Sequence, residues 1–416
     1  MTPEERRRSL LQEEERIDRD LEVEQAEGEE RDEDVEQQVG TFQAFLHDRR
    51  KLTTWALVFV GAIVAIYVLF PKIVGLDDAV AKVDEAVWYW IVIAVAFNVA
   101  AFGAYVALFR GVLGGTNDDE LRRRVDVKAS YQITMAGLAA TRIFSAAGAG
   151  GVALTYWALR KAGMSRRRSA CRMVAFLVLM YSVYLIALVL FGILLRVGVL
   201  PGNAPLGGTI VPAGIAGGLI CVFLLVALIP HDVERRISQF AGGYRRARHA
   251  ARLATGPATL ATGVRTAIAY LRDPERGALA VGGAVGFWAA NIGVLWAAFE
   301  AFGGNVPFAV LVQGFFVGMA ANLVPSPAGG VGSVDAGMIA AFVMFDVPSS
   351  IVFPAVLTYR IVAFWLPIPP GIVAFFQLRR TVSGWERERR EVARHGVYTS
   401  QSKVRTPEAT WARRSA

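Results

Sequence analysis

The chain has 416 residues, of which 54% are hydrophobic, and a formal net charge of +8 at pH 7. Several separate apolar runs reach the ~20 residues that a membrane-spanning helix needs, which excludes an ordinary soluble globular protein. Cys171 and Cys221 both fall inside predicted spans, and the four histidines show no ligand spacing, so neither a disulfide framework nor a metal or cofactor site is expected. These observations predict an all-α, polytopic membrane protein.

The chain begins with a charged tail, residues 1–51, in which glutamate and arginine alternate. Such a composition predicts either a solvated helix or disorder. The first predicted span, Thr53–Phe70, ends at Pro71, and the second runs from about Val87 to Phe109.

Two later apolar segments are interrupted by helix-breaking residues. Ser130–Leu159 contains Arg142 and an alanine- and glycine-rich run, and Pro307–Phe345 contains the sequence AANLVPSPAGGVGSVDAG at Ala320–Gly337. Proline lacks a backbone donor and glycine unwinds helices, so neither segment is expected to be one continuous helix. Non-helical backbone at membrane depth is tolerated only where protein buries it or where it lines a wet cavity. We therefore predict two re-entrant hairpins.

The remaining apolar runs predict ordinary spans, which bring the expected total to about six: Cys171–Val197, Gly208–Pro230, Gly277–Phe302 and Ile351–Leu378. The arginine-rich segment 231–276 is too polar to span and predicts an interfacial amphipathic helix pair. Its arginines could instead suggest a nucleic-acid patch, but attraction to anionic lipid is favoured beside membrane spans, and no nucleic-acid partner is expected. The basic tail, residues 379–416, is expected to be poorly ordered.

Basic residues in short loops predict the orientation, because lysine and arginine accumulate on the cytoplasmic side. Basic clusters precede the first span, follow the second and follow the first broken segment, whereas the loop at Val199–Gly207 has no charge. A segment that begins and ends on one side is a hairpin. Six spans and two hairpins that enter from opposite faces satisfy the rule, with both termini in the cytoplasm.

This order of elements predicts an inverted repeat within a transmembrane domain at residues 52–378, with repeat 1 at about 87–197 and repeat 2 at about 277–378. Phe97–Ala100 is similar to Ala290–Gly293. Inverted repeats with broken helices that meet near the midplane are a recurrent transporter plan. Asn98 and Asn291 are predicted to form interhelical hydrogen bonds at equivalent positions.

Three motifs resemble one known family: NLVPSPAGGVGSVDAG at Asn322–Gly337, LTYRIVAFWLP at Leu357–Pro367 and YWALRKAG at Tyr156–Gly163. Together they resemble the lysylphosphatidylglycerol synthase transmembrane-region family, also described as flippase-like membrane proteins, over about Trp88 to Leu378. The resemblance implies a protein of the bacterial cytoplasmic membrane that moves or handles a lipid or a lipid-linked intermediate. That family usually has Glu where this chain has Asp335, and a polar residue near Ala153. No aminoacyl-transferase domain follows Leu378, so lipid aminoacylation, and enzyme activity in general, is not expected.

Arg360 and Arg142 are the first candidate site residues, because a cation inside a span is costly and should face a partner or a wet cavity. Both are predicted to bind a lipid phosphate, whose oxygens match the guanidinium fork. The structural alternatives are an ion pair with Asp335 or a carbonyl cap for Arg360, and snorkelling to the interface for Arg142.

Asp335 is either a counter-ion or proton-coupling group, or simply an acid that suits a helix N-terminus capped by Ser333. The remaining candidates form the tip of the second hairpin, where side chains and backbone amides are predicted to form an anion-binding concavity: Asn322, Ser326, Gly329, Gly330 and Gly332. The alternative is that these glycines only permit a tight turn and close packing.

Two functions follow from this sequence. The first is a lipid transporter in which an anionic headgroup binds between opposed hairpins. The second is a non-transporting anchor or regulatory partner of a lipid-modifying or cell-envelope enzyme, in which the charged N-terminal tail and the basic cytoplasmic segments would bind the partner.

Overall fold

The computed structural model describes residues 32–46, 86–113, 119–143, 149–227, 274–323 and 330–404, with isolated positions between 48 and 61 and between 264 and 268. Within these residues every regular element is helical. The α-helices are α1, 32–46; α2, Trp88–Leu113; α3, Asp119–Arg124; α4, Val127–Ile143; α5, Ala149–Ala162; α6, Arg166–Arg196; α7, Ile210–Ala227; α8, Pro274–Ala301; α9, Phe308–Met319; α10, Ser333–Met344; α11, Ser349–Arg360; and α12, Ile368–Val404. A 3₁₀ turn, Ala320–Leu323, extends α9, and a π-helical turn, Ile361–Trp365, follows α11.

Four helical stretches are long and apolar enough to cross a membrane: Trp88–Leu113, Arg168–Arg196, Gly277–Ala301 and Ser349–Glu391. They coincide with four of the predicted spans, and the shorter apolar helix α7 lies at a fifth. Nearly all of the predicted span Thr53–Phe70 and most of the segment 231–276 lie outside the described residues. The prediction of an all-α, polytopic membrane protein is confirmed.

α2 and α8 pack against each other along their length in antiparallel directions. Gly111 of α2 lies against Ala280, and Gly293 of α8 lies against Phe97, so low residue numbers in one helix meet high numbers in the other. A Cβ atom at Gly111 would lie only 2.7 Å from the backbone nitrogen of Ala280. Small residues therefore let the two backbones approach closely, as in other membrane bundles. This antiparallel arrangement is the one expected of an inverted repeat, in which α2 is the first helix of repeat 1 and α8 is the first helix of repeat 2.

Each broken segment folds as two antiparallel helices. In hairpin 1, formed by α4 and α5, Gly137 lies beside Gly151; in hairpin 2, formed by α9 and α10, Gly318 lies against Met338. The tips that connect the helices, residues 144–148 and 324–329, lie outside the described residues. Hairpin 1 follows the end of α2 and hairpin 2 follows the end of α8. Because α2 and α8 are antiparallel, the two hairpins open at opposite ends of the bundle and point toward each other.

The last span is broken at its centre, which the sequence analysis did not predict. Leu366 N donates to Ile361 O at 2.9 Å, a bond one residue longer than in an α-helix. Pro367 and Pro369 have no N–H group, so they cannot continue the helical hydrogen-bond ladder. Some carbonyl oxygens in the π-helical turn therefore lack a backbone N–H partner within the helix and can accept hydrogen bonds from side chains of other helices.

The N-terminal tail includes a helix that is docked rather than solvated. α1 buries Val39, Phe42 and Leu46, which are spaced three or four residues apart and so share one face. The ring of Phe42 packs edge-on against Phe375 of α12, with centroids 4.6 Å apart. Val35 and Phe45 of the same helix are partly buried against the core, so apolar contacts help to hold this helix on the bundle.

The expectation of poor order beyond Arg379 is wrong for residues 380–404. α12 continues to Val404, and its side chains Val382 and Trp385 are buried. The sequence between these positions and Val404 is rich in glutamate and arginine, which suits a helix that leaves the apolar bundle.

Candidate functional site

Hairpin 1 places a cation against the broken turn of the last span. Arg142 lies in the last turn of α4. Its Nη1 atom donates to Phe364 O at 2.8 Å, and its Nη2 atom donates to Ala363 O at 3.0 Å. Both carbonyls belong to the π-helical turn, so this guanidinium replaces donors that the following prolines lack. Arg142 points into the protein and does not snorkel toward an interface.

A second side chain from repeat 1 binds the same turn. Asn98 Nδ2 donates to Val362 O at 2.8 Å, which confirms the predicted interhelical hydrogen bond. Asn291 instead donates to Phe287 O of its own helix at 2.9 Å, so the equivalent prediction is wrong. The reason is local: Asn98 faces a turn with freed carbonyls, whereas α6, the matching span in repeat 1, is one continuous helix.

Arg360 connects the last span to hairpin 2. Its Nε atom lies 2.7 Å from Asp335 Oδ1, and its Nη2 atom donates to Gly330 O at 3.0 Å. The Nε–H group is not aligned with Oδ1, so the contact is an ion pair without a hydrogen bond. The two side chains are only 6% and 9% exposed, and a buried charge of this kind depends strongly on its partner. Arg360 therefore makes both contacts that the structural alternatives predicted, an ion pair with Asp335 and a hydrogen bond to a carbonyl oxygen.

The ring of Phe364 lies next to both guanidinium groups. The Cζ atoms of Arg142 and Arg360 lie 5.1 Å and 4.4 Å from the centroid of the Phe364 ring. Each cation is attracted to the negative face of the ring, an interaction worth about 2 kcal/mol when it is desolvated. With Asp335, this group of described residues carries two positive charges and one negative charge. We call these four residues the central cluster.

The start of α10 differs from the prediction. Gly332, with φ +86°, takes the N-cap position, and Ser333 is the first helical residue. Asp335 Oδ2 accepts a hydrogen bond from Gly332 N at 2.8 Å. Glycine tolerates this backbone conformation, whereas serine would be strained in it. Asp335 thus contributes to the helix start and is also the counter-ion of Arg360, whereas its role as a proton-coupling group stays a prediction.

The predicted anion-binding tip is only partly described. Ser326 and Gly329 lie outside the described residues. Asn322 lies beside Gly330, since a Cβ atom at Gly330 would be 2.8 Å from Asn322 Oδ1. Gly330 turns its carbonyl toward Arg360, and the Gly332 amide already binds Asp335. The described part of the tip thus binds groups of the protein itself.

Phe364 and the broken turn were missed by the sequence analysis. The signal was present in Pro367, Pro369 and Pro370, three prolines within a predicted span. Tyr359 was also missed: it is buried next to Arg360, and its ring lies 5.8 Å from that of Phe315. A tyrosine in an apolar run gives no sign that it adjoins a charged cluster.

The fold and the central cluster define an integral membrane protein with two opposed hairpins that meet at a buried, charged centre. A family model, the lysylphosphatidylglycerol synthase TM region, matches residues 54–371. The chain belongs to this family, which is related to lipid handling. The match begins before Trp88, where the motif resemblance starts, and so includes the first predicted span. None of the curated proteins compared with the chain matches it.

Proposed function

We propose that this chain is a transporter that moves an anionic phospholipid, or a lipid-linked anion, across the bacterial cytoplasmic membrane. The observation that carries the proposal is the meeting of two opposed hairpins at a cluster with two arginines and one aspartate. Broken helices from inverted repeats form the substrate sites of many transporters. The central cluster contains groups suited to binding an anion and orienting it, so we propose transport without covalent chemistry.

The charge of the central cluster favours an anionic ligand. A cation at the centre of a bilayer costs about 2.5–3.5 kcal/mol on insertion scales. Among the described residues, the polar partners of Arg142 are the carbonyl oxygens of Ala363 and Phe364, which carry no net charge. The sequences of the two tips, residues 144–148 and 324–329, contain no acidic residue. A phosphate group would supply the missing negative charge.

The broken turn also gives a lipid a route to the cluster. Ile361 belongs to this turn and Leu366 follows it directly, and the two side chains are 47% and 48% exposed. A lipid tail that packs on these side chains stays in the bilayer, while its headgroup lies within one turn of Arg360. The same helix would then contact both parts of the substrate.

The ion pair between Asp335 and Arg360 supplies a way to couple binding to movement. A phosphate at Arg360 competes with the Asp335 carboxylate, because both are anions with oxygens that match one guanidinium fork. Loss of this pair would remove one of the polar contacts that hold hairpin 2 against the last span, next to the hydrogen bond from Arg360 to Gly330 O. With basic loops toward the cytoplasm, hairpin 1 would open to the cytoplasm and hairpin 2 to the other side.

The proposal is tested by reconstitution in liposomes with fluorescent phosphatidylglycerol, and with fluorescent phosphatidylcholine as the uncharged comparison. Arg142→Gln should slow movement of phosphatidylglycerol about tenfold or more, as the loss of one charge-assisted contact of roughly 1.5–3 kcal/mol predicts. Arg110→Gln, which removes an exposed arginine from α2, is the matched control and should transport normally. If the wild-type protein and Arg142→Gln moved phosphatidylglycerol at the same rate, the proposal that Arg142 binds the headgroup would be contradicted.

The alternative function, a non-transporting partner of a cell-envelope enzyme, is favoured by one observation. α1 exposes the acidic side chains Glu33 and Asp34 on its outer face, a surface that a basic partner would fit. Deletion of residues 1–40 separates the two functions. Loss of cellular function with normal lipid movement would support the partner and contradict the transporter as the physiological activity.

A further inference from the structure

Three basic residues at the open end of hairpin 1 form a surface that the proposed transport site does not use. Arg160 and Lys161 lie in the last turn of α5, and Arg166 begins α6. We call these three residues the basic collar. Their side chains are 29%, 26% and 34% exposed, so each is partly open to its surroundings. Basic residues next to membrane spans normally lie at the level of the lipid headgroups.

Asp32 of α1 binds two members of the collar. Its Oδ2 atom lies 3.1 Å from Arg160 Nη2 and 2.9 Å from Arg166 Nε, and its Oδ1 atom accepts a hydrogen bond from Tyr156 at 3.0 Å. Burial alone would raise the pKa of Asp32, but the hydrogen bonds from Arg166, Tyr156 and Arg160 outweigh it and lower the pKa below its usual value. The group is therefore a carboxylate at neutral pH.

Lys161 is held by two further carboxylates. Its Nζ atom lies 2.9 Å from Glu36 Oε1 of α1 and 3.1 Å from Glu386 Oε1 of α12. Within the described part of the chain, the three cations of the collar thus form ion pairs with three acids, Asp32, Glu36 and Glu386. Two of the three acids, Asp32 and Glu36, belong to α1, so docking of one helix supplies most of the negative charge.

Each contact between α1 and the collar is weak by itself. Ion pairs with this degree of exposure are typically worth about 0–1 kcal/mol. A lysine or arginine near an anionic membrane surface gains about 1 kcal/mol from the lipid. The two interactions are comparable in size, so the composition of the bilayer decides which of them the collar makes.

We propose that the basic collar is a binding surface for anionic lipid headgroups, and that α1 is the internal occupant which those headgroups displace. The apolar face of α1, with Phe42 against Phe375, keeps the helix near the collar in the docked state. A regulatory consequence rests on the proposed function: α1 would restrain hairpin 1, whose other helix carries Arg142. An anionic bilayer would release this restraint.

The test uses the full-length chain in nanodiscs, with Cys171 and Cys221 replaced by serine and spin labels at the exposed positions Asp34 and Arg387. In phosphatidylcholine, the interlabel distances should show one docked population. In an equal mixture of phosphatidylcholine and phosphatidylglycerol, the ratio of released to docked molecules should rise about a hundredfold, as roughly 1 kcal/mol for each of the three basic residues predicts. Identical distance distributions in the two bilayers would overturn the proposal.

Matched variants on α1 check that charge is the cause. Asp32→Asn with Glu36→Gln should release the helix even in phosphatidylcholine. Glu33→Gln changes one charge at an exposed position of the same helix and should leave it docked. If α1 stayed docked in the double variant as fully as in Glu33→Gln, the ion pairs with the basic collar would not be what holds the helix, and the proposal would be contradicted.

These distance measurements do not depend on transport, so the two proposals can fail separately. Release of α1 in anionic bilayers by a protein that moves no lipid would support the collar and contradict the transporter. Normal lipid movement with α1 docked in both bilayers would support the transporter and contradict the collar.

Discussion

Hairpin 1 and hairpin 2 share one backbone plan but have opposite chemistry near their tips. Hairpin 1 brings the cation Arg142 to carbonyl oxygens of the last span. Hairpin 2 brings a carboxylate, Asp335, and a carbonyl, Gly330 O, to the cation Arg360 of that same span. The two hairpins thus have the same backbone arrangement, but one contributes a cation to the last span and the other contributes an anion.

The open ends of the hairpins differ as well. Hairpin 1 ends at the basic collar, which α1 and α12 cover with carboxylates. At the end of hairpin 2, Asn203 donates to Asp346, a residue in the left-handed region with φ 62°. Among the described residues, several ion pairs therefore lie at the open end of hairpin 1, whereas a neutral donor binds Asp346 at the open end of hairpin 2. Conditions that screen or titrate charge should affect the first end far more.

The largest effect should come from removing the acid of hairpin 2. Asp335→Asn leaves Arg360 buried without its counter-ion, which should lower the free energy of unfolding by about 3–5 kcal/mol. Arg142→Gln leaves carbonyl acceptors short of donors and should cost about 1–3 kcal/mol. Unfolding by SDS in mixed micelles measures both values. If the two variants lost the same free energy of unfolding, the ion pair of hairpin 2 would not be stronger than the carbonyl contacts of hairpin 1.

A double variant checks the source of that loss. Asp335→Asn combined with Arg360→Gln removes both charges, so it should be less destabilising than Asp335→Asn alone. If the two losses simply add, the ion pair is not the cause.

The shared backbone plan predicts a second, equal effect in both hairpins. A Cβ atom at Gly151 would lie 2.6 Å from Gly137 O, and one at Gly318 would lie 2.6 Å from Met338 Cα. Valine at either position should therefore cost about 1–3 kcal/mol through overpacking. Gly217→Val on α7 is the control, since nothing lies within 4 Å of its Cβ position. Tolerance of valine in only one hairpin would contradict equivalent packing.

A smaller effect separates the two asparagines. Asn98→Ala removes the donor to Val362 O and should cost about 0.6–1.7 kcal/mol, the measured range for polar contacts in membrane bundles. Asn291→Ala loses only a bond within its own helix and should cost less. The same micelle unfolding measurement compares them, and a larger loss for Asn291→Ala would refute the assignment.

The smallest effect concerns pH at the collar. The lowered pKa of Asp32 means that its contribution is fully present above the ordinary value of 3.8 and is lost as pH falls through the lowered value. Burial alone would lower the pKa of Lys161, but the hydrogen bonds that it donates to Glu36 and Glu386 raise it. Its contribution is therefore fully present below the ordinary value of 10.5 and is lost as pH rises through the raised value. Docking of α1 should therefore stay constant between about pH 5 and pH 9.

The spin-label distances in phosphatidylcholine measure this plateau. Asp32→Asn, which has no group to titrate at that position, should lose the transition on the acid side. Release of α1 near pH 7 in the wild-type protein would show that another group controls docking.

Much of the architecture could be predicted from the sequence because its signals are local. Proline and glycine inside apolar runs mark the hairpins, and basic clusters assign their open ends to opposite sides. Arg142, Arg360 and Asp335 stood out because charge is costly in a span. Each of these signals can be read within about twenty residues of sequence.

The contacts themselves could not be predicted, because they join distant parts of the chain. Asn98 meets Val362 across 264 positions, and nothing in either segment specifies the other. The N-cap was misplaced by one residue because Gly332 adopts a positive φ that sequence alone does not reveal. Docking of α1 depends on Phe42 meeting Phe375, again a contact between the two extremes of the fold.

The glycine-lined contact between α2 and α8 limits how the two halves of the bundle can rearrange. Where Gly111 lies on Ala280, a shift along the helix axis by one residue would force a side chain into space that holds only a hydrogen atom. Sliding is therefore blocked, whereas a tilt about the crossing keeps the same atoms in register. This pair of helices would act as a fixed pivot in the transporter that we propose, so its inward and outward openings would exchange by a rocking motion around the pair.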